Sequence, residues 1–91
     1  MKIYIAGAIT DNPDYLGQFY AAEAKLIKEG HAVLNPVRNL GFSYKEYIDM
    51  GLNDLMRCDA IYLLKGWEKS NGANLEYLYA TTVGLTILKQ K

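Results

Sequence analysis

Ala60-Ile61-Tyr62-Leu63-Leu64 decides the fold, because it runs through five residues without a polar side chain facing either way. A strand with one wet face alternates apolar and polar residues, whereas a short continuous apolar run fits a strand covered on both faces. Ile3-Tyr4-Ile5-Ala6 has the same character and stops at Gly7, so it reads as a first buried strand followed by a turn. Ala32-Val33-Leu34, closed by Asn35-Pro36, and Leu85-Thr86-Ile87-Leu88 supply two more strands, with 60–64 as the third in order.

The segments between them carry helical signals. Asp11, Asn12 and Pro13 look like a helix entry, with Asp11 or Asn12 as cap, and a helix from about Asp14 runs until Gly30 stops it. Leu16, Tyr20, Ala24 and Ile27 form one apolar stripe on it, Phe19 and Leu26 a second, with Glu23 between, which predicts cover on two sides. Ser43 with Glu46 is a capping-box signature for a second helix ending near Arg57. Tyr44, Ile48, Gly51, Leu52 and Leu55 make its core-facing stripe, and Asp54 lies at the edge beside Tyr47 and Met50. A third helix starts near Gly72 and ends near Gly84, with Leu75, Leu78, Tyr79 and Thr82 inward and Glu76 beside them.

The order βαβαβαβ with helical crossovers predicts a three-layer αβα sandwich, Rossmann-like or flavodoxin-like, around a mainly parallel four-stranded sheet. Ligands of such sheets bind beyond the carboxyl ends of the strands, which directs attention to residues 7–13, 35–42 and 65–71.

Composition narrows the function. Ninety-one residues suit one small domain, taken as 1–91, and 51% hydrophobic with 22% charged residues is ordinary globular composition. Ten basic against ten acidic residues give no field to attract a polymeric nucleic acid. Cys58 is the single cysteine and His31 the single histidine, which excludes an internal disulfide and a His-rich zinc site. His31 also precedes a strand rather than following one, so a Ser-His-Asp arrangement is not expected, and no metal or cofactor is. The run of apolar residues required for a membrane span is missing and no secretory leader is legible, so the expected location is cytoplasmic. Eight tyrosines are the unusual count, and some should line a pocket or a subunit contact.

Gly7-Ala8-Ile9-Thr10 lacks the lysine of a phosphate-cradling loop and lacks GxGxxG, although its amides could still hold a ligand. Asp54 and Glu76 are the stronger theme, since each flanks an apolar stripe on a different helix, where core meets cleft. Two such carboxylates can divide nucleophile and acid roles at a glycosidic centre. On spacing alone the commoner case is a helix-edge acid that is hydrated or paired with Arg57 or a lysine.

Taken in order, Ile3-Tyr4-Ile5-Ala6-Gly7-Ala8-Ile9, then Asn53-Asp54-Leu55 with Cys58-Asp59-Ala60, then Ser70-Asn71-Gly72-Ala73-Asn74-Leu75-Glu76 with Tyr79-Ala80, resemble the nucleoside 2-deoxyribosyltransferase superfamily. The likeness is nearest to its short, often phage-encoded members and, among characterised ones, to 2′-deoxynucleoside 5′-phosphate N-hydrolases. The resemblance implies that Glu76 is the nucleophile at the anomeric carbon, that Asp54 assists departure of the base, and that the Tyr4 hydroxyl orients the glutamate. The turn amides of Gly7, Ala8, Ile9 and Thr10 and the helix start at Gly72 are candidate substrate contacts, and the resemblance implies a 5′-phosphate contact for Ser70. Thr10 stands where the hydrolases carry an arginine for phosphate, with Lys65, Arg38 and Tyr15 as alternatives for that task.

The expected function is therefore cleavage or transfer at an N-glycosidic bond of a nucleoside or its 5′-monophosphate. A module that only binds or sequesters a nucleotide-derived molecule is the alternative. Small domains commonly supplement a limited core by association, so a homodimer or larger homo-oligomer is expected.

Overall fold

The computed structural model describes residues 1–38 and 41–91, with the side chain of Arg38 excepted. Four strands, β1 (Lys2–Ala6), β2 (Ala32–Leu34), β3 (Ala60–Leu63) and β4 (Thr86–Lys89), pair in parallel in the order β2-β1-β3-β4. Three helices connect them: α1 (Tyr15–Lys28), α2 (Tyr44–Met56) and α3 (Asn71–Val83). Short 3-10 turns at Pro36–Arg38 and Trp67–Lys69 follow β2 and β3. The expected α/β architecture is the one observed.

Strand alternation divides the core in two. Ile3, Ile5, Ala60, Tyr62 and Leu64 face one side of the sheet, where Phe19, Ala22 and Leu26 of α1 cover them. Tyr4, Ala6, Ile61 and Leu63 face the other, against Leu55 of α2 and Ala73 and Ala80 of α3. Both faces of β1 and β3 are thus dry, which is why their sequences lack polar alternation. The chain runs from β1 outward to β2 and then crosses back to β3, so the topological switch lies between the carboxyl ends of β1 and β3.

Several local expectations need correction. α1 is covered on one side only: Phe19, Ala22, Glu23 and Leu26 are buried, while Leu16, Tyr20, Ala24 and Ile27 are exposed. Its stripes compete for one sheet, and the one with Phe19 and Leu26 wins. Neither Asp11 nor Asn12 caps it, because Asp14 occupies the cap position without a side-chain bond. Asn12 instead accepts from the Asp14 amide and donates to the Ala8 carbonyl, tying the loop to itself. α3 is rotated relative to the expected face, with Ala73, Glu76 and Ala80 buried and Leu75, Leu78 and Thr82 exposed. Small residues let the helix approach the sheet closely, so side-chain size misled the reading. β4 begins one residue later than expected, at Thr86.

The second helix starts as read, although of its expected core-facing stripe only Gly51 and Leu55 are buried. Ser43 accepts from the Glu46 amide at 3.2 Å and Glu46 accepts from the Ser43 amide at 2.9 Å, completing the capping box. That reciprocal bonding holds the exposed Glu46 carboxyl below its usual range, chiefly through the Ser43 backbone. Among the described residues, no helix is long and apolar enough to cross a membrane.

Candidate active site

A cavity of about 370 Å³ opens at the carboxyl end of β1, between α1, α2 and α3. Tyr4 and Glu76 form its floor. Tyr4 points from the middle of β1 to the α2–α3 side, and its hydroxyl donates to Glu76 Oε2 at 2.6 Å with both groups buried. That length belongs to a strong, charge-assisted O–H···O⁻ bond. Tyr4 is placed by strand alternation, and Glu76 by the first turns of α3, which Ser70 caps by accepting from the Ala73 amide at 3.1 Å.

Electrostatics at the floor are unusual for a carboxylate. Burial pushes the Glu76 carboxyl up to about 7; the Tyr4 hydrogen bond pulls it down, and the negative charge of Asp54 adds to the rise. Burial also lifts the Tyr4 phenol well above its ordinary value, and the neighbouring Glu76 lifts it further, so the phenol remains a proton donor. Asp54 lines the same cavity from α2, and its carboxylate lies 3.8 Å from the Arg57 guanidinium at the exposed rim.

The structure therefore brings Tyr4, Asp54 and Glu76 to one cavity, and Gly7, Ile9, Thr10, Ser70 and Gly72 also line it. Ala8 is placed differently, with its carbonyl taken by Asn12 and its side chain outside the lining. Ser70 lines the cavity while its hydroxyl accepts the Ala73 amide. Of the three alternatives for a phosphate contact, Tyr15 lines the cavity and Lys65 is exposed, its amide donating to Gln90. The Arg38 side chain and residues 39–40 of the 35–42 segment lie outside the described residues.

Sequence reasoning missed most of the walls. Tyr44, Tyr47, Ile48 and Gly51 from α2, Phe19 from α1, and Pro36 and Val37 are among the lining residues it did not assign to a site. The signal was present in the spacing of 44, 47, 48, 51 and 54, a single helix face, but it reads as a core stripe. Only its far end is core: Leu55 is fully buried, whereas Tyr44 is 60% exposed at the mouth. Four of the eight tyrosines, Tyr4, Tyr15, Tyr44 and Tyr47, line the cavity, as their abundance suggested. Phe42 packs edge-on against Tyr47 with ring centroids 6.0 Å apart, bracing that wall.

Cys58 sits below the site, its thiol donating to the Asp54 carbonyl at 3.4 Å. Burial, then Asp54, pushes that thiol up to about 11, so it is an inert packing group. Among the described residues, no cluster of three or more His, Cys, Asp or Glu side chains is placed to hold a metal ion.

No curated protein matches the chain. A family model described as a domain of unknown function (DUF4406) matches residues 1–89. Among solved structures, a 2-desoxiribosyltransferase from Leishmania mexicana is similar, with 26% sequence identity and a TM-score of 0.75. The similarity covers 97% of this chain and 62% of that one, so the chain spans less than two thirds of that protein's length.

Proposed function

We propose that this chain, which belongs to the DUF4406 family, cleaves the N-glycosidic bond of a nucleoside with Glu76 as nucleophile. The observation that carries the reading is the buried 2.6 Å bond from the Tyr4 hydroxyl to Glu76 Oε2, at the floor of a cavity that Asp54 also lines. The resemblance of the sequence motifs and the similarity to a 2-desoxiribosyltransferase support it.

In this reading Tyr4 fixes one carboxylate oxygen and leaves the other for the sugar. The free oxygen attacks the anomeric carbon, a C–O bond to Glu76 forms, and the C–N bond breaks with its electron pair leaving on the base. Asp54 stands on the wall from which the departing base receives its proton. Water or a second base then attacks the same carbon, displaces Glu76 and restores the carboxylate. Apolar and aromatic walls around the carboxyl keep water out, and Tyr15, Tyr44 and Tyr47 offer ring faces to a planar base.

Asp54 and Glu76 are the charged side chains among the described residues that line the cavity. Two acids favour a neutral nucleoside over its 5′-monophosphate, which an N-hydrolase would take. Self-association is part of the proposal, supported by exposed Leu16 and Ile27 on α1 and Leu75, Leu78 and Val83 on α3. Light scattering at micromolar concentration checks that part, and a stable monomer contradicts it.

The activity is tested by incubating the protein with deoxynucleosides and their monophosphates and separating free base by chromatography. Base release that disappears in Glu76→Ala, with the variant still folded, supports the reading. Release that persists in Glu76→Ala overturns the nucleophile assignment. No release from any compound, together with a thermal shift on nucleosides, makes the protein a binding module instead.

A further inference from the structure

We propose that Gly51 is a positioning residue of the site: its missing side chain lets α2 close on the Tyr4–Glu76 pair and holds the Glu76 carboxylate in place for reaction. The proposal rests on the reading of Glu76 as nucleophile. Gly51 is buried in the interior of α2, where glycine weakens a helix relative to alanine. Its backbone is ordinary helix; the described glycines with positive φ are Gly30, Gly41, Gly66 and Gly84. Conformational freedom therefore does not explain the glycine, and space does.

A Cβ on Gly51 would overlap Glu76 Oε2 and stand 2.8 Å from the Tyr4 hydroxyl and 3.6 Å from the Glu76 carboxyl carbon. These are the two atoms of the short bond and the carbon that carries one of them. Neither partner yields easily, since Tyr4 is 1% exposed and Glu76 is 7% exposed. Gly17, in the first turn of α1, makes the contrast: a Cβ there meets nothing within 4 Å.

Two consequences follow from this contact. The backbone of α2 closes on the pair at Gly51, which is itself part of the cavity wall, so the burial that lifts Glu76 depends on a bare position at 51. Asp54 lies one helical turn further along the same face, so any retreat of α2 carries Asp54 outward as well. Glu76 is faced by Tyr4 from β1 and by Asp54 from α2.

The test compares Gly51→Ala with Gly17→Ala as control. A carboxylate displaced by about an ångström should lose about 10²-fold in kcat with a much smaller change in KM. Titration of the Glu76 carboxyl carbon by NMR gives a readout independent of turnover. It should show a midpoint near 7 in the unsubstituted chain and in Gly17→Ala, and a midpoint displaced from that value in Gly51→Ala, where the Cβ disturbs both the burial that raises the carboxyl and the Tyr4 bond that lowers it. Should Gly51→Ala not fold, the same substitution is made together with Tyr4→Phe and Glu76→Ala, which remove both opposing polar atoms. There it should leave the melting temperature equal to, or above, that of the Gly51 parent. An unchanged midpoint and rate in Gly51→Ala, or equal destabilisation in that background, overturns the proposal. If no nucleoside is cleaved, the functional reading fails, while the titration and the melting temperatures still decide the role of Gly51.

Discussion

Replacing Tyr4 with phenylalanine removes one oxygen from the floor of the site and little else, since the ring stays in the buried cluster that includes Leu55, Ile61 and Ala73. The lost bond is 2.6 Å long, buried, and made to a carboxylate. Hydrogen bonds to charged groups contribute about 1.5–3 kcal/mol net, and one pKa unit corresponds to about 1.4 kcal/mol. Because Tyr4 favours the ionised form, its loss should lift Glu76 by about 1–2 units above its present value near 7. At neutral pH the ionised fraction then falls from about one half to about 1–10%, and the rate of base release falls by about 5- to 50-fold. The assay is the pH dependence of base release, followed by chromatography from mildly acid to alkaline conditions. The rising limb should move to higher pH, with much of the rate regained on the alkaline side. A limb that stays near 7 or moves toward acid would refute the claim that this hydroxyl holds the nucleophile ionised.

Three further outcomes follow from the same geometry. Glu76 is raised from 4.5 to about 7 on folding, so its protonated form is favoured in the fold; its contribution to stability is full below pH 4.5 and is lost as pH rises to about 7. That loss is about 3 kcal/mol, and Glu76→Gln should abolish it, which denaturant unfolding at acid and neutral pH would measure. Asp54→Asn removes the charge that helps lift Glu76, so the rising limb should shift toward acid while the plateau drops by about 10²- to 10⁴-fold. An alkaline shift there would contradict the arrangement. Ser43→Ala removes the hydroxyl that accepts the Glu46 amide, while the Ser43 amide can still donate to Glu46, and should cost about 1 kcal/mol of unfolding free energy, with no change in the pH dependence of base release.

The strands and their parallel pairing were legible because β1 and β3 are apolar on both faces, a pattern with few other meanings. The start of α2 was legible because Ser43 and Glu46 satisfy each other locally, without help from the rest of the fold. Helix orientation was less so. Leu75 and Leu78 outweigh Ala73 and Ala80 in any hydrophobicity reading, yet close packing on the sheet selects the small residues and carries Glu76 inward with them. The pairing of Tyr4 with Glu76 spans seventy-two positions and was expected from the resemblance alone; no local pattern in the chain encodes it. Gly51 was read as one member of a core stripe, because its role depends on what stands opposite it.

The most direct test of the account is a search for the covalent intermediate. The protein is mixed with a cleaved deoxynucleoside, quenched in acid, digested, and its peptides are weighed by mass spectrometry. The peptide containing Glu76 should gain the mass of the sugar residue, and the gain should vanish in Glu76→Gln. Free base accumulating at the unsubstituted rate in Glu76→Gln, or a sugar adduct on a different side chain, would contradict it.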